Sequence, residues 1–193
     1  MRITKLIKGI LWQELGFSEG KISYHNSRLN IAPSSLMSSL LENSDDFWKE
    51  AMFQYDMAKK AYIESFFKNL KDEGIKSDKL VALTMNFVDL GGWGKVECLS
   101  SQIPKGRAVY KVKESALALA YLRKYSTSKY PVCHTLRGAM AAGASAIHGK
   151  LDIDAVETKC LAKGDPYCEF LVKPRKEFLK SENEEFKKQL GLK

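Results

Sequence analysis

Glu157-Thr158-Lys159-Cys160-Leu161-Ala162-Lys163-Gly164-Asp165-Pro166-Tyr167-Cys168-Glu169-Phe170 is the stretch on which the fold turns. Gly-Asp-Pro turn chemistry sits there between two apolar, strand-like runs, residues 155–160 and 167–172. Such a turn folds the chain back and brings Cys160 and Cys168 together across the mouth of a hairpin. Glu157 lies just upstream, and Cys133 arrives from elsewhere in the chain. Three thiols and a carboxylate make a four-ligand set suited to zinc, with sulfur at roughly 2.3 Å and oxygen at roughly 2.0–2.2 Å in a tetrahedron. The spacing is not the tight pair-and-pair pattern of zinc ribbons, so burial as small apolar thiols stays open beside metal binding. His134, next to Cys133, competes with Glu157 for the fourth place. A histidine that opens a helix is ordinarily a cap or surface residue, which favours Glu157. A closed cage leaves no position for water, so it would staple structure rather than catalyse.

Upstream of the hairpin, residues 134–147 read as a helix rich in small residues, among them Gly138, Ala139, Ala142 and Gly143. A neighbouring backbone can approach such a helix closely. Residues 114–125 read as a further helix, and residues 96–99 and 108–112 as strands. Cys98, inside the first of these, reads as a buried small hydrophobe. Residues 80–88 alternate Val81, Leu83, Met85 and Phe87 with Ala82, Thr84 and Asn86, which predicts a strand broken by Gly91-Gly92. Trp48, Ala51, Tyr55, Ala58, Tyr62 and Phe66 recur at three- and four-residue intervals and predict a long helix that begins at Ser44-Asp45-Asp46 and stops at Gly74. Pro33 sits where a helix can begin, and residues 21–31 predict a short hairpin.

The organisation that follows is an amphipathic helix within residues 1–20, one domain over 21–173, and an exposed, charged helix over 174–193. A hydrophobic share of 45% and an aromatic share of 10% in 193 residues exclude global disorder and suffice for one core. No apolar run approaches the roughly 20 residues needed to cross a bilayer. Ile3, Leu6, Ile7, Ile10 and Leu11 are helically spaced with lysines between them, which is no secretory pattern, and a cytoplasmic protein is expected. Four cysteines are too few for a disulfide scaffold. The net charge of +8 is spread among acids, as in Glu184-Glu185-Phe186-Lys187-Lys188. With no basic stripe, no nucleic-acid partner is expected.

The chain resembles the 4-vinyl reductase domain, a small-molecule-binding module found alone in archaea and fused to bacterial regulators. The likeness rests on Gly92-Trp93-Gly94 with Glu97, on Pro131-Val132-Cys133-His134 followed by Arg137-Gly138 and Gly143, and on residues 157–170. It implies a zinc site at Cys133, Glu157, Cys160 and Cys168. It also implies an α/β fold of the α+β type, with helices packed on a mostly antiparallel sheet, often dimeric and related to transport-particle subunits and haem nitric-oxide sensors.

The leading expectation is a non-catalytic domain that holds a hydrophobic small molecule (lipid, hydrocarbon or aromatic) in an apolar pocket. Tyr62, Phe66, Phe87 and Trp93 are its candidate lining, against a solid-core reading for each. The alternative is an association subunit working as a homodimer. An enzyme, for instance a reductase of a tetrapyrrole vinyl group, would need a nucleotide-binding glycine loop or redox site that the sequence does not display.

Overall fold

The computed structural model describes residues 15–18, 21–24, 27–29, 32–75, 77–149 and 152–192. An antiparallel meander comes first, β1 (Leu15–Ser18), β2 (Lys21–Tyr24) and β3 (Ser27–Leu29), with Ile22 opposite Leu29. The expected hairpin over 21–31 is its second half. The amphipathic helix expected over residues 1–20 falls outside the described residues, apart from 15–18, which form β1.

The helices that follow are α1 (Ser35–Glu42) and α2 (Phe47–Ala61), the second capped by the Asp46 carboxylate, which accepts from the Trp48 and Lys49 N–H groups. Next, α2 widens into a π-helical turn, Tyr62–Phe67, and resumes as α3 (Lys68–Asp72). The stop falls at Gly74, whose φ of 78° is left-handed, where glycine costs least.

Residues 80–88 correct the sequence reading: they are not a strand but the middle of α4 (Ser77–Leu90). Alternation and a helical stripe overlap in so short an apolar run. Leu80, Thr84, Phe87 and Val88 recur on one helical face; Leu80 and Val88 are buried, and Thr84, Phe87 and Val88 line a cavity. Gly91 and Gly92 then close the helix, with the Trp93 N–H donating to the Val88 carbonyl.

A second sheet has the order β4 (Lys95–Gln102), β5 (Arg107–Lys113), β7 (Cys168–Pro174) and β6 (Ile153–Lys159), with every pairing antiparallel. Between β5 and β6 run α5 (Ala116–Lys124) and α6 (His134–His148). The small-residue helix α6 lies on β6 and β7 and carries α2 and α4 on its other sides. Its glycines admit this packing: a Cβ on Gly138 would sit 2.4 Å from the Tyr55 carbonyl oxygen.

The C-terminal residues also depart from expectation. Residues 174–193 are not one exposed helix but contain two short ones, α7 (Arg175–Leu179) and α8 (Glu184–Gln189), and bury Phe178, Gln189 and Leu190. Charged side chains still face outward, but the few apolar ones find a place against the core.

Where α2, α6 and β6 meet, Asp154 is wholly buried. It accepts from Tyr55 Oη at 2.7 Å, Lys59 Nζ at 2.7 Å and Arg175 Nη1 at 2.8 Å. Burial alone would raise its pKa, but the Lys59 and Arg175 charges and the hydrogen bonds hold it below the usual carboxylate range. Stability from this lowered pKa is present above the unfolded aspartate range and is lost as pH falls through the folded value. Asp154→Asn is therefore expected to be less stable at neutral pH, with a flatter loss of stability below about pH 4, in urea melts taken as a function of pH. Gly138→Val is expected to cost about 3 kcal/mol or more in the same assay, because backbone, not a flexible side chain, stands in the way.

Candidate metal centre and cavity

Three elements converge on the hairpin mouth. Glu157 and Cys160 belong to the β6 side, Cys168 opens β7, and Cys133 immediately precedes α6. On a regular strand Glu157 and Cys160, three residues apart, would face opposite ways. A bulge removes the conflict: Glu157 pairs with Phe170, but Lys159 pairs with Glu169, leaving Thr158 extra. Glu157 and Cys160 then both point inward, while Lys159 turns outward to pair with Glu169 at 3.0 Å.

The turn beyond Cys160 is held by its own side chains. Asp165 Oδ2 accepts from the Cys160 N–H at 2.8 Å, and Gly164 takes a φ of 94°. The Leu161 N–H points at Cys168 Sγ, at 3.4 Å. Glu157 is fixed from two directions. Its Oε2 accepts from the Cys133 N–H at 3.0 Å, and its own N–H and C=O are taken by the Gln189 side-chain amide at 2.8 and 2.9 Å. Gln189 thus occupies the free edge of β6, a role for the C-terminal residues that no local pattern announces.

Ligand atoms of Cys133, Glu157, Cys160 and Cys168 all lie within 4.8 Å of one another, and all four residues are fully buried. Cys133 Sγ and Cys168 Sγ are 3.7 Å apart, far beyond the roughly 2.05 Å of a disulfide. A tetrahedron with metal–sulfur bonds of about 2.3 Å has an edge of about 3.8 Å. Glu157 Oε1 is buried with no hydrogen-bond partner among the described residues. Burial pushes the Glu157 carboxyl and the Cys133 thiol well up, and lifts the Cys160 thiol to about 11. Hydrogen bonds from Cys133 and Cys160 hold Cys168 down to about 6. A divalent cation reverses the burial penalty for all four donors at once. The donor set fits one.

His134 lies outside this set. It is buried against the rings of Phe47 and Trp48, with centroids at 5.8 and 6.4 Å, and burial pulls its pKa well down. Cys98 also differs from expectation: β4 is an edge strand, and there the thiol is exposed.

A cavity begins one turn further along α6. Tyr62, Phe66, Phe87 and Trp93 all line it, joined by Phe67, Thr84, Thr135, Leu136 and Ala139. The π-helical turn explains the supply of rings, because the extra residue per turn lets Tyr62, Phe66 and Phe67 all reach the same space. The space measures about 310 Å³ with its open side included, and its enclosed part is narrow. Phe66 and Phe87 meet at 4.6 Å between centroids, so a ligand must part the rings to enter. A second space adjoins it across Thr84 and Val88, lined by Tyr110, Met140 and Gly143 among others. Phe67, Thr135, Leu136 and Ala139 escaped the sequence reading. The three-residue rhythm of Leu136 and Ala139 was visible, but not which face of α6 it served.

An α+β domain with a thiol-and-carboxylate cluster beneath one helix and an apolar cavity beside it is the class these features define. Residues 109–174 match the family model of the 4-vinyl reductase domain, and over that span the chain is a 4-vinyl reductase domain. Among solved structures, the chain is similar to the phenol-responsive sensory domain of the transcription activator PoxR with phenol. That likeness has 19% identity and a TM-score of 0.77, covering 99% of this chain and 97% of that one. Partial likenesses are to a trafficking protein particle complex subunit 3 from Naegleria fowleri covalently bound to palmitic acid (10% identity, 74% and 95% covered, TM-score 0.49) and to a vinyl-4-reductase family protein from Methanocaldococcus jannaschii (14% identity, 73% and 90% covered, TM-score 0.45). Comparison with curated proteins finds no match.

Replacing Cys160 or Cys168 by serine is expected to lower bound metal and melting temperature together, because binding and folding of such a cage are coupled. Elemental analysis beside thermal melts checks this; full metal occupancy in both variants would remove the assignment.

Proposed function

We propose that this chain is a zinc-containing, non-catalytic binding domain for a hydrophobic small molecule, held in the cavity lined by Tyr62, Phe66, Phe87 and Trp93. The observation that carries this reading is the cavity itself: a ring-lined space whose wall includes the first turn of the helix that starts after Cys133. Zinc suits the centre because three thiolates in tetrahedral spacing favour a soft-tolerant divalent ion over magnesium or calcium. Cys133, Glu157, Cys160 and Cys168 would hold it with no open position, so it supplies rigidity to the start of α6 and to the hairpin. The PoxR sensory domain, similar in fold, was solved with phenol, which supports a small-molecule role for this shape. No helix among the described residues is long and apolar enough to cross a membrane, which accords with a cytoplasmic setting.

Association as a homodimer is the second reading. Leu36 and Leu40 on α1, and Phe53 and Met57 on α2, are exposed at four-residue spacing and form apolar stripes left uncovered by the described residues. Light scattering at low concentration tests it, and a monomer would count against it.

Thermal-shift screening of the metal-loaded protein against lipids, hydrocarbons and aromatics tests the binding reading. At least one apolar compound is expected to raise the melting temperature, with stabilisation of about 2.7 kcal/mol at a hundredfold excess over its Kd. Ala139→Phe, which fills the cavity, is expected to abolish the shift. Failure of every apolar compound to stabilise the protein would sink the reading.

A further inference from the structure

Resting on the cavity as a ligand site, the structure assigns recognition of the ligand's polar end to Thr135, and we propose that the ligand is a neutral apolar molecule bearing a single hydroxyl or carbonyl group. Thr135 stands in the first turn of α6, two residues after Cys133. It lines the cavity, is only 7% exposed, and its Oγ1 is buried without a hydrogen-bond partner among the described residues. The other lining threonine shows the ordinary solution: Thr84 Oγ1 donates to the Leu80 carbonyl one turn back, at 2.7 Å. For Thr135 the residues one turn back, Pro131 and Val132, precede the helix, and the hydroxyl bonds to neither.

A hydroxyl is both donor and acceptor, and leaving it unpaired in an apolar space is costly. A ligand that brings a matching group removes that cost, while a hydrocarbon of the same shape leaves it in place. Sites of this kind discriminate strongly between such pairs. Charge is disfavoured for a separate reason. No lysine, arginine, aspartate or glutamate among the described residues lines the cavity, so an ion would be buried without a counter-charge. The N–H at the start of α6, on Cys133, is already taken by the Glu157 carboxylate. A fatty acid carboxylate is thus a poor match, and a phenol, alcohol, aldehyde or ketone a good one.

Two isosteric pairs provide the test, phenol with toluene and cyclohexanol with methylcyclohexane, titrated calorimetrically into metal-loaded wild type, Thr135→Val and Tyr62→Phe. Wild type is expected to bind the hydroxyl member about tenfold more tightly or better. The ratio should fall to about one in Thr135→Val, with hydrocarbon affinity kept, and persist in Tyr62→Phe. A ratio near one in wild type, a ratio that survives in Thr135→Val, or one lost only in Tyr62→Phe overturns the assignment while leaving the cavity as a binding site. Binding of none of the four compounds overturns both. Ligand-free Thr135→Val should melt at or above the wild-type temperature; a clear drop would mean that the hydroxyl is partnered within the protein, and would overturn the proposal independently.

Discussion

Three thiols and a carboxylate share one dry volume, with one carboxylate oxygen unpartnered among the described residues. Left alone, such a cluster opposes folding, because each group is stripped of solvent and like charges are crowded together. A divalent cation converts the same crowding into the strongest cross-link in the domain. The rest of the architecture is arranged around that requirement. The bulge at Thr158 turns Glu157 inward, the Asp165 side chain closes the turn over Cys160, and Gln189 reaches in from the C-terminal helix to hold the Glu157 backbone.

From this centre the constraint passes along α6. Its first residue follows Cys133 directly, and Thr135, Leu136 and Ala139 then line the cavity. Anchoring the helix start therefore fixes one wall of the space. The facing walls are the π-helical turn and α4, whose rings pack on one another rather than on a cross-link. One wall is rigid and two can give, an arrangement suited to a site that must open to fill. Further along, Gly138 and the buried guanidinium of Arg137, 4.0 Å above the Tyr55 ring, lock α6 to α2. The Arg137 Nη1 also donates to the Ala155 and Gln189 carbonyls, so sheet, helix and C-terminal helix are joined at one residue.

Much of this was legible beforehand. The hairpin, its four candidate ligands, the small-residue helix and the four cavity rings all followed from residue type and local rhythm. The misreadings share a cause. Residues 80–88 satisfy both a two-residue and a helical period, and only their packing on α6 selects the helix. Cys98 sits in a strand as expected, but the burial of a strand depends on its place in the sheet, and β4 lies at the edge. The C-terminal residues are charged enough to look solvated, and the burial of Phe178 and Leu190 depends on a groove that distant segments build.

What the chain's order of residues determined by itself was therefore local: turns where Gly, Asp and Pro stand, helices where small and apolar residues recur, and thiols and an acid at hairpin spacing. Those outcomes depend on backbone conformation within a few residues, where steric and hydrogen-bonding preferences act directly. Tertiary structure alone decided that the π-helical rings face Thr135, that Gln189 caps an edge more than thirty residues away in sequence, and that His134 turns towards Phe47 and Trp48 rather than the thiols. Such pairings join groups far apart in the chain, and they are settled by which surfaces exclude water together, a quantity that no local window contains.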